Sequence, residues 1–193
     1  MMIRSGRERL QGRVEVDEAF IGGQKEGSRG RGAEGKTLVL VAVEGGEKQK
    51  LGRVRFRCVK HADQKSINQF IADYVEPEST VVTDGFKSYA NISHAGYNHT
   101  PYIQSSRIAS NTSQLEHVHL VISLVKRWLG GTHQGSVTPN HLQQYLDEYA
   151  FRFNRRLSEH RGMLFYRLIQ QSVQLRPQPI KDLYVKPQDV VVT

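Results

Sequence analysis

Two aspartates raise the question of chemistry in this 193-residue chain. Asp17 stands in GRVEVDEAFIGG and Asp84 in VVTDGFKSYA, each close behind an apolar run and with no obvious basic partner beside it. If the two segments are neighbouring strands of one sheet, the carboxylates meet. Like charges that close raise each other's pKa unless a cation sits between them. The pair therefore suggests a hard divalent ion. Magnesium takes one or two protein carboxylates and fills its shell with water and substrate phosphate oxygens. Two such ions would activate a nucleophile and stabilise the leaving oxygen of a phosphodiester. Periodicity leaves a plainer reading open. Asp17 could be a strand carboxylate facing water, and Asp84 an ordinary Asp-Gly turn residue.

A third group should come from a helix. His119 falls about 40° from Leu115 on a helical wheel, at the edge of an apolar stripe. Lys126 lies about two turns further along the same face. The imidazole could bind a metal or hold a water, and the ammonium could hold a phosphate. Equally, His119 is a core-edge histidine and Lys126 carries its charge out to solvent. Glu116 is the rival for the third position, although with Ser113 it also makes a capping-box pair. A zinc site built from His117, His119 and His133 has no recognised spacing, and structural zinc usually takes four ligands, often including cysteine.

The elements that must position these groups can be read from pattern. Arg13 to Ile21 alternates as a strand, with Val14 and Val16 on one side and Glu15 and Asp17 on the other. The glycine-rich stretch QKEGSRGRGAEGK follows as a loop carrying Lys25, Arg29, Arg31 and Lys36. Thr37 to Val43 and Arg53 to Val59 are two further strands around a turn at Glu44 to Glu47, completing an antiparallel meander. Ser66 to Val75 spaces Ile67, Phe70, Ile71 and Tyr74 as a helix. Thr80 to Thr83 is a short buried strand that follows a helix, hence parallel. A further strand is expected around Tyr102 to Gln104. Three helices complete the order. The first runs from Gln114 to Leu129, with Leu115, Val118, Ile122, Val125 and Leu129 as its stripe. The second opens at Thr138-Pro139, with Leu142, Tyr145, Leu146, Tyr149 and Phe153. The third runs from Arg161 to Val173, with Leu164, Phe165, Leu168 and Ile169. The sum is an α/β fold, a mixed sheet covered by helices.

Composition sets the outer bounds. The length suits one domain. Lysine and arginine number 27 against 19 aspartates and glutamates, for a net charge of +8. That surplus favours polyanions such as nucleic acid. Arg152, Arg155 and Arg156 cluster in FRFNRR, where they suit phosphate contact or simply the negative end of a helix dipole. Trp128 either packs under the GGTHQG turn or stacks on a flipped base. The lone Cys58 excludes an intrachain disulfide and fits a reducing cytosol; a buried thiol is expected there. No signal peptide and no membrane-length apolar run is present.

The blocks VEVDEAFIGG, VVTDGFKSY and HVHLVISLVKRWLGGTHQGSVTPNHLQQYLDEYAFRFNRR resemble, in order and over about Gly12 to Gln174, the catalytic domain of IS-XO-two-like insertion-sequence transposases. The resemblance implies an RNase H-like fold with a five-stranded mixed sheet and a DDE-type site. The family's two aspartates fall on Asp17 and Asp84. Its variable third position, followed by a lysine, falls on His119 with Lys126. The implied cofactor is two Mg²⁺ (or Mn²⁺) ions held by Asp17, Asp84 and His119. The implied chemistry is phosphodiester cleavage and strand transfer at transposon ends, with Lys126 on a phosphate. DNA contact is expected from Lys25, Arg29, Arg31, Lys126, Arg127, Arg152, Arg155 and Arg156, with a homo-oligomer in a synaptic complex and a cytoplasmic location. The expected organisation is a lead-in over 1–12, the catalytic domain over 13–175 and a tail over 176–193. Full-length relatives carry an N-terminal metal ribbon and end-recognition region that has no counterpart here. The alternative is therefore a truncated, inactive DNA-binding remnant. A nuclease of the same fold that hydrolyses without joining is a further rival.

Overall fold

The computed structural model of the chain describes residues 2, 7–22, 36–45, 50–102, 115–134 and 137–175. Five strands form one sheet: β1 (Arg13–Ile21), β2 (Thr37–Gly45), β3 (Leu51–Val59), β4 (Thr80–Thr83) and β5 (Asn98–Pro101). The order across the sheet is β3-β2-β1-β4-β5. The first three strands are antiparallel neighbours, and β4 runs parallel to both β1 and β5. The chain leaves β3, passes through helix α1 (Gln64–Tyr74) and returns as β4 beside β1. A crossover helix is what a parallel neighbour requires. This is the RNase H-like arrangement.

Each face of the sheet has its own core, divided by the two-residue period of the strands. Val14 and Val16 of β1 join Leu40 and Ala42 of β2 against Ile67, Phe70 and Ile71 of α1. Ala19 and Ile21 join Val39, Val41, Val43, Val54 and Phe56 on the opposite face. That second face is covered by α2 (Glu116–Thr132) and α3 (Pro139–Phe153). Full burial of a valine or leucine side chain is worth about 1.5–3 kcal/mol, so these two clusters dominate the folding energy. Helix α1 starts where the Asp63 carboxylate accepts the Ser66 N–H at 2.7 Å. Helix α3 opens on Thr138 with Pro139 in its first turn, as its sequence predicts.

Strand β3 is an edge, and α3 finishes it. Asn154 Oδ1 accepts the Val54 N–H at 2.7 Å, and Asn154 Nδ2 donates to the Val54 carbonyl at 3.2 Å. Gln143 repeats the pattern on Cys58 N–H and the Phe56 carbonyl. Arg156 donates to the carbonyls of Leu51 and Gly52. Side chains from α3 and the turn that ends it thus stand where the backbone of a sixth strand would pair.

Several details differ from the pattern reading. Helix α2 starts at Glu116, with Leu115 as its cap and no side-chain cap hydrogen bond; Ser113 lies outside the described residues. The predicted capping box therefore does not set this end, and Glu116 is exposed. The fifth strand is Asn98–Pro101 rather than a segment around Tyr102; residues 103 and 104 lie outside the described part. Cys58 is only partly buried, against the α2 and α3 core, and desolvation pushes its thiol up to about 12. Helix α4 (Met163–Val173) has no buried residue, and Phe165 of its apolar stripe is 73% exposed. Its periodicity is real, but no described element comes to cover it.

Candidate active site at the β1, β4 and α2 junction

The register of β1 and β4 decides where the aspartates stand. Glu15 lies level with Val82, and Asp17 and Asp84 each follow two residues later. Asp17 thus stands within β1, and Asp84 at the equivalent step just past the end of β4, where that strand gives way to its turn. At that turn Gly85 takes φ 76°, a left-handed conformation that favours glycine. The Phe86 N–H then reaches Asp84 Oδ1 at 2.9 Å. So Asp84 is a turn residue, and its charge is felt at Asp17.

Asp17 sits in a drier place. Its Oδ1 accepts the Glu18 N–H at 2.8 Å. Its Oδ2 lies 3.2 Å from His119 Nε2. Burial pushes the Asp17 carboxyl up to about 6, against the pull of the Glu18 N–H and His119; the charges of Glu18 and Asp84 add to the rise. That Asp84 is felt at Asp17 at all places the carboxylates in one electrostatic neighbourhood. His119 comes from the start of α2 and is half exposed, and it meets Asp17 from the solvent side. Asp17 and His119, distant in sequence, are thus in contact, and Asp84 is near enough for its charge to reach Asp17. Glu116, the rival for the third place, is exposed on the helix's first turn.

Two further groups in this site escape a pattern reading. Glu15 has 1% of its surface exposed. Its carboxylate accepts the Val118 N–H at 2.9 Å and lies 2.9 Å from His117 Nδ1. The segments EVD of β1 and HVH of α2 therefore meet twice, Glu15 with His117 and Asp17 with His119. The identical spacing of the two acids and the two histidines was the available signal. The second group is Tyr89, fully buried, whose hydroxyl donates to Glu18 Oε2 at 2.8 Å. Burial, with the charges of Glu18, Asp17 and Asp84, raises its phenol well above the usual range.

The donor set can be tested against a divalent ion. Each aspartate spends one oxygen on a backbone N–H, and Asp17 turns the other to His119. Among the described residues no three His, Cys, Asp or Glu side chains are gathered as a metal site. As placed, the three groups do not form a ready metal shell. His117 is engaged with Glu15, and His133 packs on Trp128 and Tyr145, so these histidines do not meet His119.

The predicted DNA contacts are scattered. Lys126, Arg127 and Arg152 are exposed, the last 3.3 Å from Glu148. Arg155 lies over the Phe151 ring and donates to the Phe151 carbonyl. Arg156 lies over Phe153 and holds the β3 edge. Lys25, Arg29 and Arg31 lie outside the described residues. Trp128 packs edge-on to His133 and against Tyr149, the packing role its place before the turn suggested. No helix among the described residues is long and apolar enough to cross a membrane.

Comparison with known proteins adds three findings. The pattern of the family described as the ISXO2-like transposase domain matches residues 9–154. No curated protein matches. Among solved structures, the chain is similar to the catalytic core domain of BIV integrase, at 13% identity and a TM-score of 0.48, over 85% of this chain and 97% of that one.

Proposed function

This chain belongs to the ISXO2-like transposase family and carries its DDE-type catalytic domain, and from that premise we propose that it binds DNA across the face where Asp17, Asp84 and His119 stand, without cutting it. The observation behind this reading is the side-chain arrangement. No three potential ligands are gathered among the described residues, and His119 occupies the Asp17 oxygen that a metal would take. The net charge of +8 supplies the attraction to a polyanion.

A second reading has an observation of its own. Asp17 and His119 come from separate segments and lie 3.2 Å apart, and the charge of Asp84 is felt at Asp17. In that reading the chain performs metal-dependent cleavage and strand transfer at insertion-sequence ends, in an oligomeric complex. Asp17, Asp84 and His119 would be the ligands of Mg²⁺ or Mn²⁺, and Lys126 would hold a phosphate. When bound, such ions activate water and stabilise a leaving oxygen.

One experiment separates the two. Duplex binding and plasmid nicking are measured together, with and without Mn²⁺, for the wild type and Asp84→Asn. Binding with no metal-dependent nicking supports the first reading. Metal-dependent nicking that Asp84→Asn abolishes while binding survives moves the conclusion to the second. A folded chain that neither binds nor nicks would falsify both.

A further inference from the structure

On the far side of the sheet from β4, a cavity of about 230 Å³ opens between the β3 edge, helix α3 and the segment leading into β1. Arg7, Arg53, Arg55 and Arg155 line it, against Glu8 and Asp147. The charges are not evenly matched. Arg53 is held by Glu44 at 2.7 Å and by Glu8 at 3.0 Å. Desolvation raises the Asp147 carboxyl to about 6, so it carries its charge reluctantly. Four guanidinium groups thus share the cavity with two carboxylates.

Arg55 is the most telling of them. It is 4% exposed. Its Nη1 donates to the Val54 carbonyl and its Nη2 to the Glu8 carbonyl, and its Nε has no partner. No carboxylate lies within ion-pair distance of it among the described residues. A buried guanidinium whose hydrogen bonds go to carbonyl dipoles is costly, because a buried charge needs a close counter-charge. Burial lowers its pKa to about 10, and the charges of Arg7 and Arg53 press the same way against a weaker opposing pull from Tyr74 and Glu44. The cavity has room for a tetrahedral oxyanion with several waters, each of which occupies about 30 Å³. Arginine's fork of donors suits such an oxyanion.

We propose that this cavity is a phosphate-group site, with Arg55 at its floor and Arg7 and Arg155 at its rim. It is separate from the aspartate site and independent of the reading given to that site. The phosphate belongs either to a DNA backbone passing the β3 edge or to a free phosphate-bearing molecule.

The test uses the full chain and inorganic phosphate as the probe. Thermal unfolding is followed in sodium phosphate and in sodium chloride at matched ionic strength. Phosphate is expected to raise Tm above chloride with a saturating dependence, as a ligand of the native state does. The rise should vanish in Arg7→Gln and in Arg155→Gln, which alter the rim, and in Arg55→Lys. The second arm is affinity for a short duplex. If Arg7→Gln also weakens duplex binding and flattens its salt dependence by about one contact, the phosphate is DNA's. If it leaves duplex binding unchanged while losing the phosphate effect, the ligand is a free phosphate compound. If phosphate and chloride move the wild-type Tm equally, the proposal is wrong, whatever the duplex does.

Discussion

Asp17 is a carboxylate held where ionisation is disfavoured. Its carboxyl is raised to about 6 from an ordinary value of 3.8, first by burial. The sign of the consequence is fixed. A raised folded-state pKa means that the native chain binds the proton more tightly than the unfolded chain. The associated stability is present below about pH 4 and is lost as pH rises through about 6. At neutral pH the ionised Asp17 therefore burdens the fold. Replacing it by asparagine should stabilise the chain by up to about 3 kcal/mol near pH 7.5, given about 1.4 kcal/mol per pKa unit. The gain should disappear near pH 4. Unfolding curves of Asp17→Asn across that range would show it, and a Tm gain that ignores pH would refute the cause. Asp17 and Asp84 were legible because acids beside apolar runs are conspicuous. His119 was legible as the edge of a stripe. Glu15 was not, since a polar residue on the alternate face of a strand looks solvent-facing until a helix arrives from about a hundred residues away.

At the scale of elements, Glu15 is what ties α2 to β1. It takes the Val118 N–H, one of the backbone donors that a helix's first turns leave unpaired. It also meets His117. Removing the carboxylate leaves both groups without that acceptor in a buried place. Glu15→Ala should cost about 2–4 kcal/mol, since hydrogen bonds to a charged group are worth about 1.5–3 kcal/mol each. Denaturant unfolding measures that loss, and a change below half a kilocalorie would show the clamp to be idle. Because the same two turns of α2 carry His119, the variant should also loosen the His119 contact with Asp17. The imidazole NMR signal of His119 reports on that directly. Most strands and helices were legible in their periods with boundaries moved by a residue or two, although α2 runs on to Thr132 and the fifth strand lies at Asn98–Pro101, before its expected place. Helix α4 shows the limit of such reading. Its period says which side is apolar, and only the arrangement of the other elements says whether that side is covered.

Over the whole molecule, a sheet of five strands has two edges, and an edge offers unpaired N–H and C=O groups to any passing strand. At β3 those groups are already taken by Asn154, Gln143 and Arg156. The paired side-chain amides imitate a strand without being one, and so they end the sheet. The consequence concerns solubility and self-assembly. A chain closed at this edge resists being used as a template for fibre growth by its own copies. The double variant Asn154→Ala with Gln143→Ala should expose the ladder again and scatter light in a concentration-dependent way below its melting temperature, where the wild type stays clear. Light scattering against protein concentration checks this, and an equally clear variant would show the edge to be protected by other means. The two amides thus serve a different end from the acids and histidines at the strand junction: they keep the folded chain from becoming a seed.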